Sequence, residues 1–274
     1  MDELKLCLTN MLAWFHDYCV KKGLRYYLIE GTMLGAARHQ GFIPWDDDID
    51  VGMPRADYEK LKKQLVGVIQ DNKYLLETEE SERPDYFYAY SKLYDIGTTQ
   101  VEDRKVKVIR GVAIDIFPID GVGDSMEKAQ KEYKMIGHKM DILTSRVVAI
   151  RKGRKWYKNL AVRLFQALPN VVVNEKKIMA SISELCKRKS FDDSKYVGSL
   201  VTTYRAREIM PREYYGDPTI YRFETLEVYG VQDYDNYLTH LYGDWRKLPP
   251  ENDRKTAHLQ LSIDLNQSYL RVTK

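Results

Sequence analysis

No stretch of this 274-residue chain stays apolar for the roughly 18 residues that a membrane-crossing helix needs. The first residues, Met1-Asp2-Glu3-Leu4-Lys5, are charged and lead into no long apolar region, so they do not read as a secretion signal. Cysteine is scarce. Cys7, Cys19 and Cys186 are odd in number and lack the close paired spacing of a zinc site, which excludes a disulfide framework and predicts buried thiols in a reducing compartment. Internal repeats and low-complexity tracts are also missing. These absences predict a cytoplasmic globular protein that can still rest on the inner face of a membrane.

The balance of 44% apolar and 30% charged residues is that of an ordinary folded domain, long enough for one large core with or without a subdomain. Tyrosine is abundant, with 21 residues, which suits a half-wet pocket as well as a plain core. A net charge of +3 conceals an asymmetry: residues 126–190 hold 16 Lys/Arg against five Asp/Glu, while the remainder holds 27 against 35. A segment so basic suggests an anionic partner.

Leu4, Leu8, Met11, Phe15 and Cys19 recur at helical spacing, with Gly23 as the stop. Residues 25–30 read as a strand that Gly31-Thr32 breaks, opening a short helix from Met33 to His39. Asp48-Ile49-Asp50-Val51 alternates as a strand, and Pro54 suits the first position of a helix running to about Gln70. Further strands are expected near Tyr74–Glu77, over Tyr86–Tyr94 and over Gly111–Ile119. Residues 126–190 read as helices broken at Gly153 and Pro169-Asn170, followed by an α/β mixture with turns at Tyr215–Pro218 and Leu248–Glu251. The expected organisation is a catalytic core over residues 1–122, a basic helical subdomain over 123–194 and an α/β part over 195–274 that completes the core.

Side chains at i and i+2 of a strand share a face, so Asp48 and Asp50 would project together with Ile49 and Val51 turned inward. Carboxylates that close repel unless a cation lies between them, and hard oxygen ligands suit Mg²⁺. An Asp-rich loop alone would be a solvated turn; the apolar residues at 49 and 51 argue for the strand. Asp115, in Val112-Ala113-Ile114-Asp115-Ile116-Phe117, is a lone acid among apolar neighbours, either a structural cap or the third ligand of a carboxylate metal site. Asp120 reads as a turn residue. Gly31 and Thr32 form a small turn where backbone can approach a phosphate. Arg38 is a phosphate-ligand candidate or a surface arginine. Period two places Tyr86, Tyr88, Tyr90, Lys92 and Tyr94 on one face, a pocket lining or a packed sheet face, in which Lys92 calls for an anion.

The run Glu30-Gly31-Thr32-Met33-Leu34-Gly35-Ala36-Ala37-Arg38-His39, with Gly41-Phe42-Ile43-Pro44-Trp45-Asp46-Asp47-Asp48-Ile49-Asp50-Val51, closely resembles the LicD/fukutin family of the nucleotidyltransferase superfamily. Ser91–Asp95 with Thr98-Thr99, Ile114–Asp120, Arg222-Phe223-Glu224, and Tyr242-Gly243-Asp244-Trp245 with Pro249-Pro250 and His258 extend the likeness across residues 25–260. It is weakest over 126–190. The resemblance implies an α/β (α+β) fold, a nucleotidyltransferase-like mixed sheet flanked by helices, with the basic helical segment inserted.

It also implies a phosphotransferase that moves a phosphoalcohol, typically phosphocholine from CDP-choline, onto a sugar hydroxyl of a cell-surface glycopolymer precursor such as teichoic acid. On that reading Mg²⁺ (or Mn²⁺) is held by Asp48, Asp50 and Asp115, and Asp115 can accept the acceptor's proton. A choline headgroup would call for an aromatic cage, with Trp45, Tyr86, Tyr88 and Tyr90 as candidates. Transfer of a nucleotidyl group to a small molecule or protein, and a non-catalytic scaffold that keeps the fold, are the competing readings. The partners expected are a CDP-alcohol donor and a glycan or lipid-linked glycan acceptor. No nucleic-acid module accompanies the basic charge. Arg151-Lys152-Gly153-Arg154-Lys155-Trp156-Tyr157-Lys158, leading into Leu160, Val162, Leu164, Phe165 and Leu168, reads as a stretch for an anionic membrane or as a solvated helical face.

Overall fold

The computed structural model describes every residue except 1, 82, 84, 151, 152, 154, 170, 255–259, 273 and 274. Its first element is the helix that the apolar spacing predicts. α1 (Glu3–Lys22) starts where the Asp2 carboxylate accepts from the Leu4 N–H, stops at Gly23 in the left-handed region, and buries Leu8, Met11, Phe15 and Cys19. β1 (Tyr27–Leu28) is shorter than expected because Glu30 already opens α2 (Glu30–His39). β2 (Asp50–Pro54) then leads into α3 (Arg55–Leu65). That helix ends well before Gln70: Gly67 adopts positive φ, and Ile69–Gln70 turn back as β3 to pair with β4 (Tyr74–Glu77). β5 (Ser91–Asp95), β6 (Thr99–Glu102), β7 (Val108–Arg110) and β8 (Ala113–Gly123) follow.

Three helices come next: α4 (Met126–Val147), α5 (Trp156–Ala167) and α6 (Glu175–Cys186). The chain re-enters the sheet as β9 (Tyr196–Gly198), which pairs with the end of β8, so the helices leave and return at one place. β10 (Met210–Pro211), β11 (Thr219–Phe223), β12 (Leu226–Gly230), α7 (Tyr234–Tyr242), β13 (Gln260–Asp264) and α8 (Tyr269–Val272) complete the chain. Among the described residues the main sheet runs β11-β12-β1-β2-β8-β5-β4-β3, with β9 paired to β8 and β10 to β9. β1–β12 and β2–β8 are parallel and the other pairs antiparallel, a mixed sheet flanked by helices as expected. β13, β6 and β7 form a second, small sheet.

Ile49, Val51, Ile114 and Ile116 are fully buried, so the alternation around Asp50 and Asp115 does place one face in the core. Two expectations need correction. Residues 86–90 are not strand: β4 ends at Glu77, opposite Lys92, and leaves no partner beyond it, while the Tyr86 hydroxyl curls the segment by donating to the Tyr90 carbonyl at 2.6 Å. Asp120 is not a turn residue. It lies fully buried in β8 and takes the Arg55 guanidinium on both oxygens, at 2.6 and 2.8 Å. The three cysteines are free thiols, with Cys19 and Cys186 buried. No described helix is long and apolar enough to cross a membrane.

Candidate active site

Three neighbouring strands present three charged side chains in register. Asp50 of β2 stands opposite Asp115 of β8, and Asp115 stands opposite Lys92 of β5. Adjacent strands lie about 4.8 Å apart, so the row is compact. Its left end is pinned through the backbone of Asp50: the N–H donates to the Thr32 hydroxyl at 2.9 Å, and the carbonyl accepts from the Ile29 N–H at 3.2 Å. Thr32 therefore serves as a brace for Asp50. Gly31 lies where an added Cβ would come within 3.0 Å of Asp46 Oδ2, so a side chain there would crowd the acids. Asp48 precedes β2 rather than lying within it, and its carboxylate groups with those of Asp46 and Asp47, ligand atoms within 4.8 Å of one another.

The right end of the row is cationic. Lys92 Nζ lies 2.5 Å from Asp115 Oδ1, and the Tyr90 hydroxyl donates to Asp115 Oδ2 at 3.1 Å. Burial works against the Lys92 charge, but the Asp115 carboxylate outweighs it and holds the ammonium protonated. Lys92 Nζ also sits 4.6 Å from the centre of the Tyr88 ring, and the Arg104 guanidinium lies 5.3 Å from it. Glu102 accepts from Tyr88 and Arg104; burial alone would raise its carboxyl, yet Lys92 and Arg104 hold it below the usual range.

These groups surround adjoining hollows. An acidic cavity of about 250 Å³ is lined by Glu30, Asp48, Asp50, Asp115, Phe117 and Tyr204 among others. A polar one of about 280 Å³ holds Lys92, Glu102 and Arg104, and a more apolar one of about 320 Å³ reaches Tyr133, Met140 and Leu143 of α4. Tyr90 and Thr203 line all three.

Glu30, in the wall of the acidic cavity, is one of a buried carboxyl pair whose other member, Glu208, has no signal in the sequence. Glu30, with a positive φ of 47°, and Glu208 are both buried, and Glu30 Oε1 and both Glu208 oxygens face no fixed donor. Burial pushes the Glu30 carboxyl up to about 8 and raises Glu208 well above its usual range, the charge of Glu30 adding to the effect. Asp50 is likewise raised, first by burial and then by the charges of Asp48, Glu30, Asp115 and Asp46. Such a surplus of negative charge on hard oxygen ligands fits a divalent cation such as Mg²⁺ or Mn²⁺.

The other sequence candidates divide. Arg38 and Trp45 share a separate cavity of about 250 Å³ with Tyr242 and Trp245. Arg38 donates to the Trp245 carbonyl at 2.8 Å, and burial lowers its pKa. Seven residues along α2, about 10 Å, separate it from Gly31. Tyr86 is buried and donates to the Glu77 and Tyr90 carbonyls, so it lines none of the three hollows around Tyr90. Glu224 of the Arg222-Phe223-Glu224 block accepts from the Phe42 N–H at 3.0 Å, and Gly41 is the residue small enough to lie against its carboxylate. His258 lies outside the described residues.

Residues 23–147 match the family described as LicD/FKTN/FKRP, nucleotidyltransferase domain. The match takes in Asp48, Asp50, Lys92 and Asp115 but not Glu208. The chain is 29% identical, over 95% of its own length and 96% of the relative, to the lipopolysaccharide cholinephosphotransferase LicD of Haemophilus influenzae. It is 43% identical over 54 residues to the ribitol 5-phosphate transferase FKRP of Homo sapiens and of Mus musculus, a span of 19% of this chain and 11% of each relative. Residues 23–147 are thus similar to the LicD/FKTN/FKRP nucleotidyltransferase domain, and the chain as a whole is similar to a cholinephosphotransferase over nearly its full length.

Proposed function

We propose that this protein is a phosphotransferase that moves a phosphoalcohol, phosphocholine from CDP-choline in the first instance, onto a sugar hydroxyl of a cell-surface glycopolymer precursor such as teichoic acid. The observation that supports this most is the in-register row Asp50–Asp115–Lys92 facing adjoining cavities, one lined by acids and the other by acids together with Lys92 and Arg104. In this reading the acceptor oxygen attacks the phosphorus that carries the alcohol. The bond from that phosphorus to the bridging oxygen breaks, and CMP leaves with the electron pair. Asp115 takes the hydroxyl proton. Lys92 and Arg104, side by side in the polar cavity, bind phosphate oxygens of the donor.

Asp48, Asp50 and Asp115, which line one cavity, would hold a Mg²⁺ or Mn²⁺ ion, with Asp46 and Asp47 grouped beside Asp48; when bound, the ion neutralises the diphosphate and stabilises the leaving charge. Among the headgroup candidates, Tyr90 is the one whose ring joins Phe117 and Tyr204 around the acids, a setting for a cationic alcohol. Tyr88 is less suited, because its ring already faces Lys92 and Arg104.

Incubation with Mg²⁺, an acceptor glycan and a panel of CDP-choline, CDP-ribitol and CDP-glycerol tests the reading. CMP release that depends on the acceptor is the expected result. Pyrophosphate release from CTP, with CMP left on the acceptor, would overturn it in favour of nucleotidyl transfer.

A further inference from the structure

Helix α5 has two apolar faces, and only one is covered. Val162 is buried, Phe165 and Gln166 are half-buried, and the Gln166 amide donates to the Ser145 and Val148 carbonyls at the end of α4. The opposite face carries Trp156, Tyr157, Leu160 and Leu164, with Leu168 just past the helix. At about 100° per residue these five fall within roughly 120° of the helix surface. Trp156 is 76% exposed and Leu164 63%, and Val171 and Val172 continue the apolar surface. A contiguous patch of this kind is uncommon on a face that meets only water.

The charge beside it has one sign. Residues 142–174 contain seven Lys/Arg and no Asp or Glu. Arg163 is exposed about 20° outside one edge of the stripe, and Lys155 and Lys158 are exposed near its N-terminal end, about 80–100° round the helix from its edges. Arg146 does not belong to this surface: it is buried, ion-paired with Glu175, and its guanidinium accepts no water-facing role because it donates to the Phe165, Gln166 and Leu168 carbonyls at the end of α5. Arg151, Lys152 and Arg154 lie outside the described residues.

We propose that α5 lies in the interface of an anionic lipid bilayer, its Trp156–Leu168 stripe among the acyl chains and its lysines and Arg163 on lipid phosphates. A linear leucine stripe with a tryptophan and a tyrosine at one end and basic flanks matches such an interface. A second copy of the chain matches it poorly, since the same basic flank would meet itself. The docking stands independently of the reaction proposed above. It would nevertheless serve that reaction, because α4 lines the apolar cavity beside the acids and carries α5 on another side.

Flotation with phosphatidylcholine vesicles containing phosphatidylglycerol tests this on the full chain. Wild type is expected to float with them at low salt and not with pure phosphatidylcholine, and the floated fraction should fall about tenfold as salt screens the charges. Trp156 emission should shift to the blue on binding, a shift absent from Trp156→Phe. L160E/L164E should float about tenfold less while keeping its melting temperature, because both leucines are exposed. Val106→Glu, at an exposed apolar residue elsewhere, should float as wild type does. The proposal is overturned if wild type stays soluble at low salt, or if L160E/L164E floats like wild type. It is also overturned if light scattering shows a lipid-free dimer that L160E/L164E dissociates, which would give the face to a second copy.

Discussion

Asp50 and Asp115 stand opposite each other on adjacent parallel strands, although one belongs to the Gly-Thr/Asp-x-Asp block and the other to a strand far along the chain. Parallel pairing joins two acids whose mutual repulsion offers the apo protein nothing. Asp50→Asn and Asp48→Asn should each lower transfer more than about 100-fold at saturating Mg²⁺. The metal-free variants should fold, with melting temperature unchanged or raised by roughly 2–4 °C for each ~1 kcal/mol of relieved repulsion. Turnover near wild type in either variant would contradict the metal role.

Thr32 acts through Asp50. Thr32→Val keeps the shape of the side chain and leaves the Asp50 N–H without its acceptor, which should destabilise the fold by about 1–3 kcal/mol. Transfer should fall in kcat more than in KM, and Thr32→Ser should restore both. Steady-state kinetics beside urea unfolding separates this from a general loss of fold.

Arg55 and Asp120 make a buried, two-point ion pair between α3 and β8. Asp120→Ala leaves the buried Arg55 guanidinium only the more exposed Glu59, 3.1 Å away, as an anionic partner and should cost about 3 kcal/mol in urea unfolding. A loss below about 1 kcal/mol would mean that the pair is solvated.

Glu30 and Glu208 set a pH dependence of stability. Glu30 is raised from 4.5 to about 8, chiefly by burial, and Glu208 is raised with it, so the folded protein keeps protons that the unfolded chain has released. The stability that Glu30 contributes is complete below about pH 4.5 and declines as pH rises toward 8, by up to ~1.4 kcal/mol per pH unit, and Glu208 acts in the same direction. Glu208→Gln keeps the size of the side chain and removes one titration. Urea midpoints measured without added metal should decline less steeply over this range in the variant; an unchanged slope would contradict the account.

Much of the site was legible because its signals were local. Ile49 and Val51 around Asp50, and Ile114 and Ile116 around Asp115, impose the strand face on the acids whatever the distant surroundings. What alternation could not reveal was where a strand partner ends. Tyr86, Tyr88 and Tyr90 alternate as well as Lys92 and Tyr94 do, but β4 stops opposite Lys92 and a side-chain hydrogen bond takes over. Asp120 resembled a turn acid because its guanidinium partner is 65 residues away. Glu208, in Arg205-Ala206-Arg207-Glu208, looks like surface charge, and only the tertiary fold brings it against Glu30. Arg38 shares a motif with Gly31 but sits at the far end of α2, so sequence proximity overstated its nearness to the acids.

The central claim is that the group transferred is the alcohol-bearing phosphate. CDP-choline labelled at the phosphorus next to choline, incubated with the enzyme, Mg²⁺ and acceptor glycan, tests it most directly. The account predicts that the label appears on the glycan with choline attached, that unlabelled CMP is released in equal amount, and that Asp50→Asn abolishes both. Label that stays with the nucleotide, or a glycan carrying CMP, would contradict it.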